Sequence, residues 1–249
     1  MKYVIVAFIL FSKFSYSKQE TICGPTDNRV PSDNSKIARS SLVGGVYGCS
    51  VTMIGRSCAI SAGHCAQLLE QFNFNVSTNI DGGPQKASPE NIYLKRKDSL
   101  KFRDDGHGND WAVMRMDKNV ITDLYPGDVQ GWYSVKLIGN IKKGQRIRIT
   151  GYGVDEYDTS KSFSQQTHVG KIVKSGGWLN KSTLFHNIDT TGGNSGSSII
   201  LEATNEVIGI HSHGGCSSNG GTNKGTIISK NGAFIKAIRS CLDSENELL

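Results

Sequence analysis

Thr190-Thr191-Gly192-Gly193-Asn194-Ser195-Gly196-Ser197, running into the apolar residues Ile199, Ile200 and Leu201, is the stretch on which the reading of this chain turns. Its glycines let the backbone adopt turns closed to other residues and approach another molecule closely. A serine presented there is a candidate nucleophile, provided that a base and an orienting acid exist elsewhere. Two further stretches supply them. Ser61-Ala62-Gly63-His64-Cys65 puts a histidine at the end of an apolar run, and Asn109-Asp110-Trp111-Ala112-Val113-Met114 puts an acid at the start of another. Singly, each reads as an ordinary loop, turn or structural cysteine neighbour. Together, in the order His, Asp, Ser, they are the parts needed for acyl transfer.

Around these stretches, short β-branched and aromatic runs recur between Gly, Asn and Asp clusters, at 49–54, 57–62, 91–94, 111–116, 135–138, 146–152, 168–173, 197–201, 207–211 and 226–229. That spacing predicts an all-β sandwich or barrel. One amphipathic helix is expected at 233–242, with Phe234, Ile235, Ile238 and Leu242 on one face after Asn231-Gly232. The 127–139 region carries few signals and reads as a connection between two halves.

The chain has 249 residues, 37% hydrophobic and 20% charged, with 29 Gly against 5 Pro. This excludes disordered, collagen-like and coiled-coil classes and suits many tight turns. No apolar stretch of 18 residues occurs, so no membrane-spanning helix is expected. Lys2, the apolar residues 3–11 and the small residues Ser15 and Ser17 read as a secretory signal over 1–17, with 18–249 as the exported unit. Its removal leaves 26 basic and 22 acidic residues, a net charge of +4. The basic residues are scattered, and Lys95-Arg96-Lys97 lacks interleaved aromatics, so nucleic acid is not expected as a partner. Six cysteines in an exported chain (Cys23, Cys49, Cys58, Cys65, Cys216 and Cys241) predict three disulfides, with 15 pairings open. Zinc is disfavoured because the spacing of Cys58 and Cys65 is not that of a metal knuckle. His211 and His213, at i and i+2 on one strand face, have no evident third ligand.

The three motifs together resemble the chymotrypsin-fold serine peptidases. His64 lies 46 residues before Asp110 and Asp110 lies 85 before Ser195, as in that family, and Cys49 precedes His64 by fifteen. Within the family the chain is most similar to the glutamyl endopeptidase branch. The similarity rests on 190–197, on Asn205-Glu206-Val207-Ile208-Gly209-Ile210-His211, and on Ile22-Cys23-Gly24-Pro25-Thr26-Asp27-Asn28-Arg29 as a mature N-terminal segment. The resemblance implies two six-stranded antiparallel β-barrels, about 22–130 with His64 and Asp110 and about 131–249 with Ser195, closed by a C-terminal helix. It implies catalysis by His64, Asp110 and Ser195, and an oxyanion hole from the N–H groups of Gly193 and Ser195. Substrate contacts are expected from Thr190, His211, Ser212 and Gly214. The implied disulfides are Cys49–Cys65, Cys23–Cys216 and Cys58–Cys241. The resulting expectation is a secreted, monomeric endopeptidase acting on peptides or proteins, needing no metal or organic cofactor and no membrane.

Specificity is less direct. Cleavage after Glu is favoured through His211 and Thr190, while Asp189, where trypsins keep the acid that selects Arg and Lys, supports the alternative. A catalytically idle binding protein on the same fold is the other class to weigh. An α/β-hydrolase fails on both motif and order, because residue 197 is Ser rather than Gly and the triad order is reversed. Leu42-Val43-Gly44-Gly45 resembles an activation site but lies only six residues before Cys49. Asn194 replaces the aspartate that would pair with a freed amine, so activation by such an ion pair is unavailable. Glu20–Thr21 reads as a self-processing site with Thr21 as the mature N-terminus. Asn75-Val76-Ser77 and Asn180-Lys181-Ser182 are glycosylation sequons if the host glycosylates.

Overall fold

The run Asp110-Trp111-Ala112-Val113-Met114-Arg115 shows how the two halves share a core. In the computed structural model, which describes residues 22–45, 47–76, 84–155, 158–177 and 180–246, this run is a strand with both faces buried. Successive side chains point to opposite faces. Ala112 and Met114 therefore enter one cluster with Val51, Met53 and Phe72, while Trp111 and Val113 enter a second with Ile60, Ile210 and Phe234. The first cluster fills one barrel, and the second is the seam between barrels and helix. A third, including Ile147, Ile149, Leu184, Ile199 and Ile227, fills the other barrel. The signal segment 1–17, the Glu20–Thr21 bond and Ser77 of the first sequon lie outside the described residues.

Sixteen strands are described. They are β1 (Val30–Pro31), β2 (Ile37–Ser41), β3 (Tyr47–Met53), β4 (Cys58–Ser61), β5 (Gln71–Asn73), β6 (Ile92–Leu94), β7 (Lys101–Asp104) and β8 (Asp110–Arg115), then β9 (Arg146–Gly151), β10 (Gln166–Ser175), β11 (Thr183–His186), β12 (Ser198–Leu201), β13 (Glu206–His213), β14 (Cys216–Ser217), β15 (Gly220–Gly221) and β16 (Asn223–Ile227). The first sheet runs β6-β5-β2-β3-β4-β8-β7. It curls until the ends of β6 and β8 meet at the Lys95–Met116 bridge, where Arg96 N–H bonds Arg115 O and Asp117 N–H bonds Leu94 O. The second runs β10-β11-β16-β13-β12-β9 and closes because β9 also pairs with β10, with β1 added outside β10. A closed six-strand antiparallel barrel and a second antiparallel sheet curled into a barrel whose ends meet at one bridge, followed by a C-terminal helix, are thus the architecture, as the resemblance implies.

Residues 135–138, expected as a strand, are not one. Val135 makes a single bridge to Val207, and Ile138 is exposed beside Gly139, so no ladder forms. The connection carries one short helix, α1 (Pro126–Gln130).

The final helix, α2 (Gly232–Asn246), is longer than its apolar stripe. Asn231 caps its start, its side-chain oxygen accepting from Phe234 N–H. Phe234 stacks on Trp111 with ring centroids 5.1 Å apart, and the Cys58–Cys241 disulfide straps the helix to β4. Past the stripe, the Glu245 carboxylate accepts from Arg56 N–H, Ser57 N–H, Ser57 Oγ and Cys58 N–H. That carboxylate satisfies a turn whose donors have no strand partner. Glu245→Ala is expected to lower the unfolding free energy by about 1.5–3 kcal/mol, the worth of a hydrogen bond to a charged group. A urea midpoint that falls at unchanged m value is the check.

Candidate active site

β4 ends at Ser61 and the chain turns into the 3-10 helix Gly63–Leu68, which carries His64. Gly63 permits this, since a Cβ there would lie 1.8 Å from Arg103 O. Asp110 opens β8 with no exposure to solvent. Its Oδ1 accepts from Gly63 N–H at 2.5 Å and His64 N–H at 3.1 Å, and its Oδ2 lies 2.6 Å from His64 Nδ1. An ionised carboxylate only accepts, so it fixes the imidazole proton on Nδ1 and leaves Nε2 as the basic nitrogen. The Cys49–Cys65 disulfide anchors the His64 helix to β3. Cys49, His64 and Cys65 bring three potential metal-ligand atoms within 4.8 Å, but both sulfurs are consumed in that disulfide.

Ser195 lies on the turn before β12. Its carbonyl accepts from Ser50 N–H at 2.8 Å, and Gly196 N–H donates to His211 O. Gly196, at φ +85°, presses against the strand that leads to His64: a Cβ would meet Ser61 Oγ at 2.0 Å and Ala62 N at 2.9 Å. Gly193, at φ +96°, would meet Tyr152 O at 2.4 Å. No other residue fits either position. Gly192 O accepts from Val154 N–H at 2.6 Å. In a trans peptide the C=O and N–H point opposite ways, so this bond turns the Gly193 N–H away from Val154.

Behind the serine loop lies a cluster of buried polar side chains, among them Asp189, Thr190, His211 and Asn223. Asn223, which belongs to none of the motifs that mark the triad, organises that cluster. Its side-chain N–H₂ donates to Ile188 O and Thr190 Oγ1, and its Oδ1 accepts from the N–H groups of Gly215 and Cys216. Asp189 faces the N-terminal segment. Its Oδ1 accepts from Cys23 N–H at 2.7 Å, and its Oδ2 accepts from the backbone and side chain of Asn28 at 2.8 and 2.9 Å. The Cys23–Cys216 disulfide fastens that segment to β14, as the resemblance implies. His168 Nδ1 lies 3.4 Å from the Asp189 carboxylate but accepts from Asp189 N–H, and burial lowers its pKa, so this approach is not an ion pair at neutral pH.

The bulge between His211 and His213 separates two histidines expected on one face. His213 turns toward His64, with its ring 6.0 Å from that of His64 and 4.4 Å from that of His107. Burial holds its pKa down at about 4, so it stays neutral beside Asp110. His211 turns inward, its Nδ1 3.1 Å from His186 Nε2. His186 Nδ1 accepts from Ile188 N–H, and burial, reinforced by the neighbouring imidazoles of His211 and His168, drives the His186 pKa well down. Neutral His186 therefore carries its proton on Nε2 and donates it to His211 Nδ1. With its Nδ1 accepting that bond, the His211 ring carries a proton on Nε2, as a donor. His186 carried no sequence signal, since it sits in no motif.

A histidine with a depressed native pKa stabilises the fold fully above its unfolded value near 6.5, and that stability is lost as pH falls, because the unfolded chain binds a proton the native one refuses. His168 and His213 act in the same direction as His186. His186→Gln is expected to flatten the dependence of unfolding free energy on pH between 6.5 and 5 by up to about 1.4 kcal/mol per unit. An unchanged slope would remove His186 from the account.

The same chain path occurs in solved structures. A structure described as a Glu endopeptidase in complex with MPD superposes with TM-score 0.66 at 21% identity, covering 89% of this chain and 100% of that one. The protease Anisep from Arthrobacter nicotinovorans gives 0.64 at 18%, covering 86% and 99%. Human heparin binding protein gives 0.63 at 12%, covering 88% and 97%. These are likenesses of fold. No curated protein sequence matches the chain. The Trypsin family matches over residues 28–238, a span that takes in His64, Asp110, Ser195 and the first turns of the final helix. The chain belongs to the trypsin family.

Proposed function

We propose that the chain is a secreted serine endopeptidase that cleaves after Glu. The observation that carries the peptidase reading is the buried Asp110 carboxylate 2.6 Å from His64 Nδ1, beside a glycine loop that bears Ser195. In this reading Ser195 Oγ attacks the scissile carbonyl while His64 Nε2 takes its proton. Asp110 stabilises the imidazolium, and the tetrahedral oxyanion is received by the N–H groups of Gly193 and Ser195. His64 then returns the proton to the leaving amine, giving an acyl-enzyme, and water repeats the cycle to release the acid and free Ser195. Three disulfides agree with an oxidising, extracellular setting. Among the described residues no helix is long and apolar enough to cross a membrane.

The preference for Glu rests on two features. His211 offers an Nε2–H donor, and the Thr190 hydroxyl keeps its proton to donate because Asn223 donates to its oxygen. Both suit a carboxylate. Asp189, the acid an Arg/Lys-cleaving enzyme would use, is already engaged by three donors from the N-terminal segment, and using it would cost those bonds. Similarity to the Glu endopeptidase adds weight. Ser212, in β13, and Gly214, just past its end, would line the substrate's path. An idle binding protein is the second class, with the heparin binding protein as a fold neighbour, but this chain keeps every member of the triad.

A fluorophosphonate probe should label Ser195 in the folded protein, and Ser195→Ala should abolish peptide cleavage with a nearly unchanged thermal midpoint. Near-wild-type cleavage by that variant would mean the nucleophile is misassigned. Digestion of a peptide library read by mass spectrometry should give cuts after Glu. His211→Ala should depress those cuts by one to two orders in rate, the scale of a lost charge-assisted bond of about 1.5–3 kcal/mol. Equal loss on Glu and Lys substrates would reduce His211 to a structural part.

A further inference from the structure

The bond from Val154 N–H to Gly192 O decides which way the Gly192–Gly193 peptide faces, and nothing in these residues' own side chains holds it. The residues on either side do. Thr191 precedes the glycine pair and Asp155 follows Val154, and Arg29 joins them: its Nη1 donates to Thr191 Oγ1 at 2.6 Å and its Nη2 to Asp155 Oδ2 at 3.0 Å. Thr191 N–H in turn donates to Asn194 Oδ1 at 3.0 Å, which carries the connection to the residue before Ser195. The contact is close enough that a Cβ on Gly153 would lie 2.2 Å from Thr191 Oγ1, 2.5 Å from Asn194 Oδ1 and 2.9 Å from Arg29 Nη1.

The guanidinium is itself fixed. Its Nε and Nη2 donate to the Asp27 carboxylate at 3.0 and 2.7 Å, and its side chain is 2% exposed. The partnership with Arg29 holds the Asp27 pKa below the ordinary value against the opposing effect of burial. The segment that carries it is anchored on both sides, by the Asp189 bonds of Cys23 and Asn28 and by the pairing of β1 with β10. Asn194 has no charge with which to hold the loop by an ion pair. Here the charge comes from the other direction.

We propose that Arg29 is the positioning residue of the oxyanion hole: a buried guanidinium on the N-terminal segment clamps Thr191 to Asp155 and so keeps the Gly193 N–H turned toward the developing oxyanion. The inference rests on the peptidase reading of Ser195 and Gly193. Because the clamp acts on a group that binds the transition state, its loss lowers kcat rather than raising KM.

The experiment compares wild type, Arg29→Met, Arg29→Lys and Glu245→Ala, the last serving as a destabilised control remote from the hole. Thermal midpoint, kcat, KM and the inhibition constant of a peptide aldehyde are measured, since the aldehyde's hemiacetal with Ser195 places an oxyanion in the hole. Arg29→Met is expected to lose about 10²–10³ in kcat, the scale of one lost oxyanion donor, with KM within about threefold and aldehyde affinity falling in step with kcat/KM. Arg29→Lys should recover part of the loss, because an ammonium is a point donor that cannot span both partners. Glu245→Ala should melt earlier with kcat unchanged. The proposal is overturned if Arg29→Met keeps kcat and aldehyde affinity, or if it merely follows its midpoint as the control does. Should Arg29→Met fail to fold, Thr191→Val, which removes only the hydroxyl that Arg29 reaches, is expected to show the same split at about tenfold, and its absence overturns the clamp. A wild type that neither takes up the fluorophosphonate nor cleaves peptides sinks the peptidase reading instead. The clamp is then judged by crystal structures, where a Gly192 carbonyl still on Val154 N–H in the variant counts against it.

Discussion

An ionised carboxylate fully removed from water, as at Asp110, persists only if the groups around it replace the solvent. Gly63 N–H, His64 N–H and His64 Nδ1 are all aimed at its two oxygens. Three bonds to a charged acceptor, each worth about 1.5–3 kcal/mol, are of the same order as the several kcal/mol that its desolvation costs. The arrangement also reaches across the molecule, since Thr226 Oγ1 in β16 of the second barrel donates to Asp110 O. One residue therefore orients the imidazole, fixes the turn that carries it and ties the first barrel to the second. The apolar seam of Trp111, Val113 and Ile210 begins beside it, which keeps water from the carboxylate.

The site was legible where the chemistry leaves no choice of residue. Gly193 and Gly196 sit where a Cβ would strike backbone or a neighbouring hydroxyl, so the glycine pattern around Ser195 is a direct print of the geometry. The strands of the seam were legible for a related reason, because both their faces are buried and their apolar runs are unbroken. β2 was not. Its residues Arg39, Ser40 and Ser41 are buried but polar: Arg39 donates to Phe163 O and Gln85 O and lies 3.6 Å from the Tyr47 ring centroid, Ser40 Oγ donates to Cys49 O, and Ser41 Oγ accepts from the Asn73 side chain. No apolar periodicity announces a strand whose buried side chains are mostly polar and find their partners in neighbouring strands and distant loops. β7 is exposed throughout as a sheet edge and gives no alternation either. His186 and Asn223 escaped for a third reason: a buried polar residue is identified by what it bonds, and their partners come from several different strands and loops.

Between 127 and 139 the composition said connection while the apolar residues at 135–138 said strand, and composition proved the better guide. A strand needs a neighbour with free donors and acceptors. Val207 already pairs with Ile200 in β12, so residues 134–136 obtain only the two bonds that flank one bridge.

The N-terminal segment shows how these constraints combine. It precedes the first barrel in sequence, yet its attachments are to the second: Cys23 is bonded to Cys216, Asn28 to Asp189, Arg29 to Thr191 and Asp155, and Val30–Pro31 extends β10. The stretch 23–31 thus reaches Cys216, the buried acid Asp189 and the loop that bears Ser195. Each attachment closes a long loop, which is entropically costly when made alone, but once one is formed the others follow at little further cost. The disulfide makes the first permanent. The Asp27–Arg29–Asp155 cluster, in which Arg29 and Asp155 are buried, can then be assembled on a segment that is already in place, and a charge delivered from the start of the chain can support the centre of the second barrel.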